Sequence, residues 1–181
     1  MKKLIVFIGF IVAFFFKADA QLCMTRSGFI GFYSKTVMED IIAENNQVYG
    51  VIDLAKKNLA FTALLKGFIF RKELMQEHFN ENYVESDKYP KTTFTGVYTG
   101  DVLPATDGVY KIIVKGNLTL HNVTKEVEIP ATLEVSNGKL TGKSEFKLKP
   151  ADFNITIPSI VRDKIQTEID VHVKIDCNSS K

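Results

Sequence analysis

Apolar and polar residues alternate with period two over long stretches of this chain, and its elements are read first from that alternation. In "YKIIVKGNLTL", Tyr110, Ile112, Val114, Gly116, Leu118 and Leu120 share one face, against Lys111, Lys115, Asn117 and Thr119. "KIQTEIDVHVKIDC" sets Ile165, Ile169, Val171, Val173, Ile175 and Cys177 against Gln166, Glu168, Asp170, His172, Lys174 and Asp176. "GKLTGKSEFKLK" sets Leu140, Phe146 and Leu148 against Lys139, Lys143, Glu145, Lys147 and Lys149. One dry and one wet face per strand marks antiparallel sheets with a single buried side, because helix-covered parallel strands read as near-continuous apolar runs. The chain is therefore all-β.

Turn signals punctuate the runs. "SNGK" at 136–139 is an Asn-Gly hairpin turn, "AKKN" at 55–58 joins "VYGVID" to "LAFTALL", and "ATDG" precedes the strand at 109. About eight strands are expected, at roughly 25–34, 48–54, 59–70, 92–101, 109–121, 125–135, 139–149 and 165–176. Two segments depart from the pattern. "TVMEDIIAEN" (36–45) spaces Val37, Ile41 and Ile42 as a short helix would. From Lys72 to Asn80, Leu74, Met75, His78 and Phe79 fall on one face of a second short helix. That helix follows "FIF" without a linker, so its place is across the barrel or sheet end reached by strand 59–70, with Leu74, Met75 and Phe79 inward. Pro90 disfavours helix at Tyr89 and returns the chain to strand.

Eight antiparallel strands either stack as two sheets or close into a barrel, filled or holding one ligand. The cysteines bear on the choice. Cys23 and Cys177 lie near opposite ends of the chain, and an up-and-down barrel pairs first and last strands so that those ends meet, which a sandwich does not require. A Cys23–Cys177 disulfide would close a long loop and stabilise the fold by about 5 kcal/mol at most; two free thiols are the alternative.

Residues 1–20 stand apart. "MKK", the apolar run "LIVFIGFIVAFFF" and "ADA" before Gln21 form a secretory signal peptide, too short in its apolar part for the roughly 20 residues of a spanning helix. The domain is then 21–181, without a stable membrane span after cleavage, and periplasmic or secreted. Removing 1–20 takes Lys2, Lys3, Lys17 and Asp19, leaving 20 basic and 20 acidic residues of the chain's 23 and 21. With no basic stripe, nucleic-acid binding is excluded as a class.

Candidate chemistry is thin. Neither His78 nor His121 is tied by a motif to a Ser or Cys nucleophile. An enzyme using either is the weakest alternative, and a helix-face His such as His78 is more often a buried core residue. His78, His121 and His172 lack zinc spacing, so no metal and no cofactor are expected. Arg71 and Lys72 stand where a helix start favours an anion, or are simply solvated charges at the rim.

With these residues in view, the chain resembles the YceI-like family of exported lipid-binding proteins. The resemblance rests on "FIFRKELMQEHFNENYVESDKYPKTTFTG" (68–96), "GNLTLHNVTKEVEIPATLEV" (116–135) and "DFNITIP" (152–158), and spans 21–176. Asn122 stands where the family usually has Gly after the turn His. The resemblance implies a lipocalin-like, eight-stranded antiparallel β-barrel with one or two short helices. Its interior would bind a long isoprenoid or fatty lipid without catalysis. The expected ligand-contacting set is Phe61, Leu65, Phe68, Phe70, Arg71, Leu74, Met75, His78, Phe79, Phe94, Leu118, Leu120 and Phe146. Burying methylenes at about 0.8 kcal/mol each would hold a tail there. The rival reading is a packed structural or stress-response module in which the same residues are ordinary core. A homodimer is the further candidate assembly.

Overall fold

The computed structural model describes residues 22–35, 40–157 and 167–178. The leader at 1–20, Val37 of the first expected helix and Ile165 of the last expected strand lie outside the described residues. The strands are β1 (Leu22–Ser34), β2 (Ile41–Asp53), β3 (Asn58–Leu64), β4 (Ile69–Phe70), β5 (Lys91–Thr99), β6 (Gly108–Leu120), β7 (Val123–Ser136), β8 (Lys139–Leu148) and β9 (Ile169–Asn178). Every pairing is antiparallel, in the order β1-β9-β8-β7-β6-β5-β3-β2, and β2 pairs back on β1. The sheet thus closes as an eight-stranded barrel, with the two-residue β4 appended to β2. Closure pairs each of the eight strands on both sides over at least part of its length, limiting the free edges that would otherwise template aggregation.

The alternation read from β6, β8 and β9 is realised: Ile112, Val114, Leu140, Val171 and Ile175 are buried, and the intervening lysines are exposed. Two hairpin turns use left-handed backbone. Asn137 (φ 50°) and Gly138 (φ 73°) join β7 to β8, and His121 (φ 49°) and Asn122 (φ 59°) join β6 to β7. Asn tolerates that region better than most residues, so Asn122 makes the turn in place of glycine.

The helix expected at 36–45 is corrected: Ile41–Asn45 belongs to β2. Two features hid the strand. Its inward face carries Ala43 and the polar Asn45, both fully buried, and the β1 register shifts between Gly28↔Val48 and Ile30↔Asn45. That bulge resets the alternation, and Asn45 Oδ1 accepts the Gln47 N–H there at 2.8 Å.

The run expected as one strand at 59–70 breaks at a 3-10 turn, Leu65–Gly67. Asn45 Nδ2 donates to the Leu64 carbonyl at 2.9 Å, where the β3 strand ends. A Cβ at Gly67 would come within 2.7 Å of that same Nδ2, so the chain can bend over Asn45 only without a side chain. It then returns as β4 on β2, with Ala43↔Phe70 and Glu44↔Ile69 paired.

The second helix is present. Its α-helical part, α1, is Glu73–His78, followed by a π turn at Phe79–Tyr83. Gln76 anchors it to β4, its Oε1 accepting the Phe70 N–H at 3.1 Å.

Two apolar clusters divide the interior. One, around Cys23, Ile52, Tyr98, Leu133, Val135, Leu140 and Ile175, seals the end bearing the β2–β3 and β7–β8 turns. The other, around Ala43, Leu65, Phe68, Val84, Phe153 and Ile155, packs beneath α1 at the opposite end.

Candidate functional site

Between the two clusters lies a cavity of about 510 Å³, within the roughly 300–1,000 Å³ of small-molecule sites. Phe61, Leu65, Phe68 and Phe70 line it from β3, β4 and the turn between them. Phe94 from β5, Leu118 and Leu120 from β6, and Phe146 from β8 complete the wall drawn from the expected set. Met75, His78 and Phe79 reach it from the helical cap, and His78, expected as a buried core residue, is instead exposed at the cavity's helical end.

Leu74, expected to point inward, is the correction, and Arg71 stands at the rim. Leu74 is 60 % exposed and lies outside the lining. At 100° per residue, Met75, His78 and Phe79 form a stripe centred well away from Leu74, which falls on its outer edge. Arg71 is also exposed and outside the lining, and α1 has six residues, too few for aligned peptide dipoles to build a strong anion site.

Sequence reasoning passed over Ile30 and Phe32 of β1, Val171 and Val173 of β9, and Ile155 and Ile157 beyond β8. The β9 residues carried a usable signal, since their alternation already put them on the dry face. In β1, apolar side chains on both faces, such as Phe29 and Tyr33 beside Ile30 and Phe32, conceal the alternation.

An aromatic cluster packs at the helical end. Phe32 stacks at 5.5 Å on Phe68 and at 5.5 Å on Phe79, and Phe70 lies 5.1 Å from Phe79. Such tilted contacts each add about 1 kcal/mol beyond their buried area. Tyr83 lines the cavity beside them, and burial raises its hydroxyl above the ordinary tyrosine range, so it stays neutral at physiological pH.

His121 is a staple rather than part of the cavity wall. Its Nε2–H donates to Glu85 Oε2 at 2.8 Å, and its Nδ1 lies 3.1 Å from the Phe153 carbonyl oxygen. Both partners are acceptors: a neutral imidazole carries one N–H and serves one of them, whereas the imidazolium serves both. The Tyr89 ring packs edge-on against it at 4.8 Å. The β6–β7 turn, the segment after the helix and the 3-10 turn Pro150–Phe153 are thereby tied together. Among the described residues, no group of three or more His, Cys, Asp or Glu is placed to hold a metal ion.

The staple gives a pH prediction. The hydrogen bond from His121, then the nearby Lys88 ammonium, holds the Glu85 carboxyl below the ordinary glutamate range. A depressed carboxyl contributes stability above its unfolded value and loses it as pH falls through the folded one. Thermal melts of wild type and Glu85→Gln should therefore differ fully above about pH 5 and converge as pH falls below the ordinary glutamate range of about 4.3. A gap that widened on acidification would refute the staple.

The comparisons with known proteins agree with this architecture. A polyisoprenoid-binding domain from Saccharophagus degradans implicated in plant cell wall breakdown superposes with TM-score 0.75 at 14% identity, over 89% of this chain and 99% of that one. Burkholderia cenocepacia BcnA superposes with TM-score 0.70 at 15% identity, over 83% of this chain and 96% of its own. A Campylobacter jejuni YceI protein matches over 100% of both chains, with TM-score 0.58 and 17% identity. At these identities the likeness is one of fold. No curated protein sequence matches significantly, but the profile of the YceI-like domain matches residues 24–177. The chain therefore belongs to the YceI-like domain family.

Proposed function

We propose that this chain is an exported, non-catalytic binder of a long-chain amphiphile, a polyisoprenoid or related lipid, held inside the barrel. The carrying observation is the nearly all-apolar cavity of about 510 Å³ inside the barrel. A close-packed core leaves few voids larger than a water molecule, so a void of this size in a wall of Phe, Leu, Ile and Val suits a hydrocarbon tail. The Saccharophagus relative, described as polyisoprenoid-binding, supports the same ligand class.

Export rests on the leader-like residues 1–20, which would leave a domain of 21–181 in the periplasm or outside the cell. No described helix is long and apolar enough to cross a membrane. A Cys23–Cys177 disulfide fits that setting: Cys23 is buried at the start of β1, and the antiparallel Phe29↔Lys174 register carries the end of β9 toward it. Intact mass with and without reductant decides the disulfide, two titratable thiols in the oxidised protein being the contrary result.

The function is tested by organic extraction of the purified, exported protein followed by mass spectrometry. A stoichiometric long-chain lipid is expected. Protein that emerges empty and fails to bind added dansyl-farnesol would overturn the proposal.

A further inference from the structure

The β7–β8 ladder ends at the rung Ala131↔Ser144. Above it β7 continues on β6 as far as Val123, and β8 continues on β9 as far as Leu148. No rung joins β7 over 123–130 to β8 over 145–148, so the barrel wall forks. Pro130, which has no N–H to give, stands at the fork, and the Ser144 hydroxyl donates to its carbonyl at 2.8 Å.

A second observation shows what the fork does to the cavity. Thr132 and Lys143 face each other on the next rung down. By alternation they point outward, between the inward rungs Leu133↔Gly142 and Ala131↔Ser144, yet both residues line the same cavity as the inward set. The void therefore lies against the wall at the two rungs just below the fork, Ala131↔Ser144 and Thr132↔Lys143. The 3-10 turn Pro150–Phe153 packs on β7 above it, so the opening has a sill, two jambs and a lintel. The cluster around Leu133 and Ile175 packs the end bearing the β2–β3 and β7–β8 turns, whereas at the helical end the lining includes the exposed His78, so the fork is a second candidate opening beside that end.

We propose that the gap between β7 and β8 is a lateral portal through which the amphiphile's tail enters the barrel. Its oxygen-bearing head group rests at the sill, beside the Thr132 hydroxyl and the Lys143 ammonium. The assignment rests on the lipid-binding reading above. Lys143 now pairs with Glu134 at 3.3 Å, both side chains about half exposed, and such a pair is weak enough to yield to a head-group acceptor. Hydroxyl, carbonyl and phosphate oxygens share that acceptor chemistry, and a positive sill favours the phosphate.

Two measurements test this. In a Glu128→Cys/Lys147→Cys variant the new thiols stand on opposite jambs, and a bis-maleimide can bridge them. Stopped-flow uptake and release of dansyl-farnesol should both slow at least tenfold on bridging, with Kd changed less than about twofold, because closing a route alters rates and not the bound state. Unchanged rates overturn the portal. Loss of binding before and after bridging, and in wild type, overturns the lipid-binding reading itself. Separately, Lys143→Gln should weaken farnesyl phosphate about tenfold and farnesol little; equal effects on the two remove the head group from the sill.

Discussion

An Ala131→Phe variant should lose about 100-fold in affinity for dansyl-farnesol while its barrel melts within a few degrees of wild type. Ala131 sits on β7 between Ile112 of β6 and Ser144 of β8, and its methyl faces the cavity. A phenyl ring there would project into the void of about 510 Å³ rather than into packed side chains. It therefore displaces ligand without the strain that overpacking a dense core brings. Excluding three or four methylenes of tail costs about 3 kcal/mol at 0.8 kcal/mol each, which is about 100-fold in Kd. Fluorescence titration and a thermal melt on the same preparation check it, with Ala131→Ser as the near-isosteric control. Undiminished binding by the Phe variant would mean that the tail does not pass Ala131, and the cavity would lose its claim as the tail site.

The small inward residues on which this prediction turns were the least legible part of the sequence. Strands β6, β8 and β9 could be read because each alternates without interruption and carries charged residues on its wet face. The first half of β2 could not, since Asn45 puts an amide in the core and the adjacent bulge shifts the phase. The side chains of the cavity wall were largely foreseeable, because Phe61, Phe68, Phe94, Leu118 and Phe146 are the bulky members of strand faces already identified as dry. Whether they meet or stand apart was not, as a filled core and a hollow one share the same pattern. What hollows this barrel is the scarcity of bulk at Ala131, Gly142 and Ser144, each on an inward position of β7 or β8. The fork leaves no trace in the alternation either. β8 alternates straight through it, and only Pro130 on the opposite jamb marks the place.

Glycine at 116 answers to a different demand, and replacing it should produce the largest loss of stability of any single methyl added to the wall. Gly116 and Gly96 face each other across β5 and β6. A Cβ on Gly116 would run into the Thr95 carbonyl oxygen, come within 2.6 Å of the Gly96 Cα and within 2.8 Å of Phe94 Cζ. Two of those obstacles are backbone, held by rungs from Thr93↔Thr119 to Thr99↔Ile113, so relief requires the strands to part. Gly116→Ala stabilises through the unfolded chain by at most about 1 kcal/mol, whereas forcing a packed backbone apart costs about 3 kcal/mol or more. The clash wins. Urea unfolding should show a net loss of about 2 to 3 kcal/mol, which for a domain of this size lowers Tm by roughly 5 to 10 °C. Gly96→Ala should act in the same direction, its Cβ meeting the Lys115 carbonyl oxygen and lying 2.9 Å from the Gly116 Cα. Since one separation of the strands relieves both clashes, the double variant should lose less than the sum of the singles. Strict additivity would show instead that each methyl finds its own local relief. The same displacement has a functional reading, because the Phe94 ring that covers Gly116 also lines the cavity: pushed inward by the new methyl, it should reduce the space for a tail, so that binding weakens in Gly116→Ala more than in Gly96→Ala.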